Sequence, residues 1–532
     1  MDRWRLPTPP AGTFDWQRIE GKFTVPPQTA SVAVGLYLRS GTTGTAWFDD
    51  LAVTAQIPQP VRGFLTYPNY RNLVPSSSSR PWQVSIELNP APQWDKQLLS
   101  LRNTLKNKAG AVLRQSAQEL TASRKIFTAT VEPPPEKKPG EYVWSLELLD
   151  PTGQTIKKLN YDISVVTEMP QVYIDADGFT IIEGARFFPL GIYGDPVTEE
   201  HLKRLSEAGF NTVLSYGYGQ AKDPQDYLDA SHRQQLKVVY SLKDFYPGLR
   251  NAPKGTDDPI ALAGETITAL RDHPALLAWY INDEMYPEAI PKLERMYAQV
   301  KELDPQHLAY QVLYQTGGLD QYFHSTDAIG TDPYPLGEMP DITRTGINTR
   351  IVNQSMREAK ANWMVPQIFD WAVYKDGQKS HQPTLDEMRN QAYQAIINGA
   401  RGLLFYSYFD LWYDSTDRRV RKPEVFNQRW PAVAKMAGEI KALLPAVLQN
   451  QKVALTLPPN ARIEAGAWEF QDELLMLLAN PYYSEEQIIL NLPQGWKIEQ
   501  AEQGQIKSAA QGTHVTFTLP PVGSGVFRLK KE

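Results

Sequence analysis

The stretch Ala275–Tyr286, A-L-L-A-W-Y-I-N-D-E-M-Y, constrains the fold more than any other part of the chain. Six mostly apolar residues, Leu276 to Ile281, run directly into Asn282, Asp283 and Glu284. An apolar run without polar alternation suits a strand buried on both faces, as in the interior of a parallel sheet. Pro274 precedes it, and Ile290, Leu293, Met296, Tyr297, Val300 and Leu303 follow at helical spacing. The segment is therefore expected to form the strand and helix of a βα unit, with two acids and an amide at the C-terminal end of the strand. In barrels built from such units that end carries the chemistry. Two carboxylates there need partners, because desolvating an unpaired charge is costly. The structural alternative is that Asp283 or Glu284 caps the following helix.

The same alternation runs from residue 172 to about 448. Strands are expected near Phe187–Tyr193, Thr212–Tyr216, Val238–Leu242, Leu276–Ile281, Leu308–Leu313, Ala328–Thr331, Trp363–Ile368 and Gly402–Tyr406. Helices are expected over Thr198–Glu207, Pro224–Gln234, Ile260–Arg271, Pro287–Leu303, Thr343–Lys360 and Thr384–Asn398, the last opened by the capping box Thr384-x-x-Glu387. Eight such units predict a (β/α)8 TIM barrel. The 532-residue chain is too long for one core, so further domains are expected around it. In residues 60–168, Trp82, Val84, Ile86 and Leu88 alternate with polar residues, Tyr142–Leu148 does much the same, and Asp150-Pro151-Thr152-Gly153 marks a turn. This predicts an immunoglobulin-like β-sandwich acting as a spacer. Residues 452–532 return to short strand-like runs at Leu474–Leu478, Ile488–Leu492 and His514–Leu519, which suit a small C-terminal β-sandwich. Residues 1–57 carry strand signatures at Ser31–Leu38 and Thr45–Val53. The expected class is thus multidomain, α/β plus all-β, with a barrel flanked by β-sandwich domains.

Composition narrows the function. A net charge of −6 gives no reason to expect a nucleic-acid or anionic-membrane partner. The absence of cysteine excludes disulfides, thiolate nucleophiles and Cys-ligated metals. No apolar run reaches 18 residues, so no membrane span is expected. The start, M-D-R-W-R-L-P-T-P-P, is not a signal peptide; a truncated N-terminus would make an extracellular or periplasmic location the expectation. The seven histidines show no H-E-x-x-H or paired ligand spacing, so no metal is expected. There is no G-x-S-x-G elbow, and Tyr216-Gly217-Tyr218-Gly219 runs into Gln220 and Ala221 rather than a phosphate-cradling pattern. No cofactor is expected, and the oligomeric state is left open.

The predicted strand ends carry the case for function. They present Tyr193 and Asp195; Tyr216 and Tyr218; Asn282, Asp283, Glu284 and Tyr286; Tyr314 and Gln315; Asp332 and Tyr334; Gln367, Asp370, Trp371 and Tyr374; and Tyr406, Tyr408, Asp410 and Trp412. A single tyrosine there can be packing. Aromatics and acids from nearly every unit at one face are what binding and cleaving a sugar polymer requires. The expected partner is a poly- or oligosaccharide. Thirteen tryptophans and 26 tyrosines suit stacking on sugar rings, although aromatics also fill ordinary cores.

Gly178–Tyr193, G-F-T-I-I-E-G-A-R-F-F-P-L-G-I-Y, resembles the strand that leads into the barrels of the clan A glycoside hydrolases, which include β-galactosidases, β-glucuronidases and cellulases. Asn282-Asp283-Glu284 is similar to the acid/base motif after strand 4 of that clan, with Asp283 inserted between Asn and Glu. Arg389–Tyr408 resembles barrels with a D-E-P type fourth strand. Phe14–Pro26, with the Val32–Leu38 and Gly44–Val53 runs, resembles the last third of a jelly-roll carbohydrate-binding module, too little of one to be expected to bind sugar. The resemblance implies a glycosidase with Glu284 as general acid/base. The clan places its nucleophilic Glu at the end of strand 7, where this chain has Gln367, and an amide cannot be a carboxylate nucleophile. The second carboxylate is then expected to be Asp370, or otherwise Asp332 or Asp410. Asn282, Tyr193, Tyr216, Tyr286, Gln315, Tyr334, Gln367, Trp371, Tyr408 and Trp412 are expected to bind substrate. Strand alternation would send Asp283 to the face opposite Glu284, toward a neighbouring strand or loop. The alternative function is a non-catalytic glycan-binding barrel.

Overall fold

The computed structural model describes residues 12–21, 33–36, 43–53, 59–89, 97–121, 126–194, 198–216, 224–249, 251–374, 380–414, 416, 420–503, 507–511 and 514–531. The chain forms two compact units, Met1–Pro58 and Gln59–Glu532. Among the described residues of the first unit there is no strand, and Trp47, Leu51 and Val53 are exposed. The run Thr45–Val53 is therefore not the strand its pattern suggested. Alternation supplies one apolar face, but burial needs a second layer, which the described residues of this unit lack. Part of Ser31–Leu38 lies outside the described residues.

In the second unit eight parallel strands close into a barrel: Leu190–Gly194, Thr212–Ser215, Lys237–Ser241, Leu276–Asp283, Leu308–Leu313, Ala328–Thr331, Ala361–Met364 and Gly402–Phe405. All eight fall on the expected segments. Their side chains alternate between two cores. Tyr193, Leu214, Val239, Tyr280, Tyr310, Trp363 and Leu404 fill the interior, whereas Ile192, Val213, Val238, Trp279, Ile281 and Leu403 pack outward against the helices. Burial on both sides is why these strands lack polar alternation. Helices Glu199–Ala208, Pro224–Arg233, Pro259–Leu270, Ile290–Leu303, Arg344–Ser355, Leu385–Ile397 and Pro423–Gln449 form the outer layer. The fifth crossing is only the 3-10 segment Leu319–Ser325. The capping box is present, with Thr384 Oγ1 accepting from Glu387 N and Glu387 accepting from Thr384 N.

The β-rich regions flank this barrel. Residues 61–166 form a three-stranded and a five-stranded sheet sharing one core around Trp82, Val84, Ile86 and Trp144. The short link after Val61–Tyr67 enters the barrel floor, where Tyr70 joins the interior cluster with Leu277, Tyr310 and Trp363. Residues 452–531 add a five-stranded and a three-stranded sheet around Leu474, Met476, Phe517 and Phe527. Asn390 fastens them to the barrel by donating to Asn480 O and Val522 O. Among the described residues no helix is long and apolar enough to cross a membrane.

Candidate active site

The C-terminal ends of the barrel strands gather three carboxyls. The fourth strand ends at Asp283, whose neighbour across the ladder, Val312, faces the interior. Asp283 therefore points into the mouth, where it accepts from the Tyr280 hydroxyl at 2.6 Å and the Tyr216 hydroxyl at 2.8 Å. Lys243 Nζ lies 3.6 Å from the same carboxylate, 3.3 Å from Asp244 and 4.4 Å above the Tyr216 ring. Asp283 thus accepts from two phenols and lies beside one ammonium. It is paired with neighbouring strands and loops, but from inside the mouth and not from the face opposite it that strand alternation suggests.

Glu284 lies one residue past the strand and leaves its regime. Its φ is +61°, in the left-handed region that ordinary side chains avoid. Asn282 sets that turn, accepting from Met285 N at 3.0 Å and donating to Gln311 at 3.0 Å, while Glu284 N donates to Val312 O at 2.9 Å. The turn brings Glu284 back to the mouth instead of the face opposite Asp283. Strand alternation fails here because it applies only to extended backbone. Asn282 itself is fully buried and braces the turn.

Asp332, just past the sixth strand, is 8% exposed and within hydrogen-bonding reach of Glu284. Burial first, then contact with Glu284 and the nearby charge of Asp283, pushes its carboxyl well above the usual range. Its Oδ1 is buried without a hydrogen-bond partner among the described residues. Two carboxyls this close do not both ionise cheaply, which adds to the effect of burial on Asp332.

Aromatic rings enclose the pair. Tyr193 meets Tyr216 at 5.5 Å and Tyr406 at 5.2 Å, and Tyr334 meets Tyr406 at 5.6 Å and Phe369 at 5.0 Å. Trp371 adjoins Tyr334 and Phe369. Gln315 is half-buried beside Tyr322, and Tyr286 is exposed on the rim. Asp195 and Tyr218 lie outside the described residues.

The remaining expected groups are engaged elsewhere. Gln367 is fully buried; its amide accepts from Leu336 N at 2.9 Å and donates to Leu336 O and Phe369 O, which makes it a backbone brace. Tyr408 faces outward against Phe426 and Trp430, and Trp412 stacks on Phe426 at 4.1 Å. Both belong to the helix layer, because the chain past the eighth strand turns into a 3-10 segment, Phe409–Trp412, that ends the strand's alternation. Asp370 caps the turn Trp371–Val373, accepting from Ala372 N at 3.0 Å and from Ser380. Asp410 accepts from Tyr374 at 2.8 Å and from Ser407; burial, partly offset by these bonds, pushes its carboxyl up to about 6.

Lys243 and Asp244 were not anticipated from the sequence. Their signal was a charged pair directly after the apolar third strand, the same pattern that marked the fourth. Among the described residues no group of His, Cys, Asp and Glu could hold a metal ion.

No protein-family model and no curated protein matches the chain. Among solved structures it is similar to a glycoside hydrolase at 14% identity and TM-score 0.49, covering 69% of this chain and 98% of that one. It is also similar to a β-D-glucuronidase from Dictyoglomus thermophilum (13% identity, TM-score 0.38, 69% and 67% covered). An Anoxybacillus α-amylase is similar at 10% identity and TM-score 0.43, with 63% and 90% covered. At this distance the function has to be argued from the site itself.

Proposed function

We propose that the chain is a glycoside hydrolase acting on a poly- or oligosaccharide, with Glu284 as general acid/base and Asp332 as the second carboxylate. The observation that carries this reading is the closeness of Glu284 to the buried Asp332, whose carboxyl is raised, inside an aromatic-lined barrel mouth. A perturbed carboxyl pair in a cleft is costly to keep and marks a site of chemistry more often than a structural one. Asp370 serves less well, because its carboxylate already caps its own loop.

Burial favours a proton on Asp332, so substrate contacts at the mouth have to offset that preference and deliver the proton to Glu284 before the chemical step. Glu284 gives that proton to the glycosidic oxygen as the bond to the anomeric carbon breaks and its electron pair leaves with the oxygen. Asp332, now an anion, bonds to the anomeric carbon. Glu284 then takes a proton from water, whose oxygen displaces Asp332 and frees the sugar. Carboxyls that start in contact need a smaller opening for this retaining route, about 5 Å apart, than for the inverting one at about 6.5–9.5 Å. The Asp283 carboxylate favours the oxocarbenium-like transition state and opposes early loss of the Glu284 proton.

Turnover of a panel of aryl glycosides and polysaccharides tests the reading. Glu284→Gln should lower it by at least about a hundredfold with folding intact; near-normal turnover would remove Glu284 from the mechanism. One observation favours the alternative of a glycan-binding barrel without hydrolysis. At the seventh strand Gln367 is backbone-bound and Asp370 is a loop cap. That reading predicts glycan binding with no turnover by the wild-type protein.

A further inference from the structure

Two exposed tyrosines stand beside Glu284 on the fourth and fifth strand ends. Tyr286 is 59% and Tyr314 42% exposed, although the other rings around the carboxyl pair are buried or half-buried. Tyr314 directly follows the strand Leu308–Leu313, and Tyr286 lies two residues past Glu284. Their hydroxyls are 2.5 Å apart and their rings meet edge to face, with centroids at 6.1 Å and planes at 86°. The bond to Tyr286 first, with a smaller contribution from the charge of Glu284, raises the Tyr314 phenol, which puts the pair within electrostatic range of the proposed acid. Each hydroxyl fixes the other, so the two ring faces are held rigid in water where the core has no need of them. A rigid aromatic face at a polar rim suits the apolar face of a pyranose.

The position of the pair selects which sugar. A general acid protonates the leaving oxygen, so the surface just beyond it receives the leaving group. The deeper cage of Tyr193, Tyr216, Tyr334 and Tyr406, buried or half-buried, is then left for the sugar whose anomeric carbon reacts. We infer that Tyr286 and Tyr314 form a leaving-group subsite that stacks a further pyranose unit, so the substrate is a glycan chain and not a glycoside of a small alcohol. The inference rests on Glu284 being the acid in the proposed hydrolysis.

The test uses the full chain and two probe sets: β-1,4-linked gluco-, manno-, xylo- and N-acetylgluco-oligosaccharides of two to six units, and the matching glycosyl fluorides. A fluoride leaving group occupies no sugar subsite. The expected result is that Tyr286→Ala and Tyr314→Ala reduce the preference for oligosaccharide over fluoride, as a ratio of kcat/KM, by about tenfold or more. Tyr286→Phe, which keeps the ring, should retain most of it. An unchanged ratio overturns the inference while leaving hydrolysis standing. If the wild-type protein turns over neither probe set, hydrolysis fails, and calorimetric binding of the same oligosaccharides decides the subsite. A loss of about tenfold in affinity on either alanine substitution supports it. Unchanged affinity, or no binding by the wild-type protein, overturns it.

Discussion

The floor and the mouth of the barrel are built from the same kinds of side chain and do opposite things with them. At the floor, Arg71 meets Asp327 at 2.9 Å, and Asp327 also accepts from Tyr297 at 2.7 Å and Ala309 N at 2.9 Å. Arg71 further donates to His307 O at 2.6 Å and Asp304 O at 3.2 Å. Burial alone would push the Asp327 carboxyl up, but Arg71 and the hydrogen bonds outweigh it and hold it below the ordinary range. At the mouth, the Glu284–Asp332 contact joins two groups of like charge, and Asp332 moves the other way. Opposite charges brought together at the floor join the β-sandwich to the barrel. Like charges brought together at the mouth destabilise the fold, which makes the mouth the place to look for function.

The largest expected effect tests the floor. Arg71→Met leaves Asp327 buried without its hydrogen-bonded counter-ion, with only the more distant charge of Lys360 to offset it, and should lower unfolding stability by about 3–5 kcal/mol in a denaturant titration. A loss below about 1 kcal/mol would mean that the sandwich is a mere spacer, as its sequence alone suggests.

The next effect sharpens the contrast through pH. Asp410 has a folded-state value of about 6, above its ordinary 3.8. A raised carboxyl favours the folded state below pH 3.8, and that advantage disappears as pH rises to about 6. The difference amounts to about 3 kcal/mol. Asp410→Asn should flatten this part of the stability curve, measured as melting temperature between pH 4 and 7. An unaltered slope would show that Asp410 does not titrate in that window. Asp327 has the opposite sign: its lowered value stabilises above its ordinary range and is lost on acidification.

A smaller effect falls on Asp283. Asp283→Asn keeps the shape but weakens two phenol hydrogen bonds and removes one of the two carboxylates beside Lys243. It should cost about 1–3 kcal/mol of stability and leave the ranking of substrates unchanged. A variant of full stability that prefers a different sugar would make Asp283 a specificity residue.

The contrast also explains what was legible in the sequence. The barrel strands were, because burial on both faces leaves uninterrupted apolar runs such as Leu276–Ile281. The carboxyls at their ends were, because charge placed directly after such a run has few other locations. Side-chain directions past the strands were not. Glu284 turns through a left-handed residue, and Tyr408 and Trp412 follow a chain that has left the sheet. The bracing role of Gln367 was hidden for a related reason: its backbone partners at Leu336 and Phe369 lie in loops whose course no periodicity fixes. The Glu284–Asp332 contact joins different strands, so only closure of the barrel creates it.

The most direct test of that contact is Asp332→Asn, with stability and turnover measured on the same preparation. Because the Asp332 carboxyl is raised, the wild-type fold loses stability as pH climbs above its ordinary range, and the asparagine variant does not. The account predicts equal or greater stability of the variant at pH 8, with glycoside turnover lower by at least about a hundredfold. A variant that is less stable yet hydrolyses at nearly the wild-type rate would contradict it, and would make Asp332 a structural residue like those of the floor.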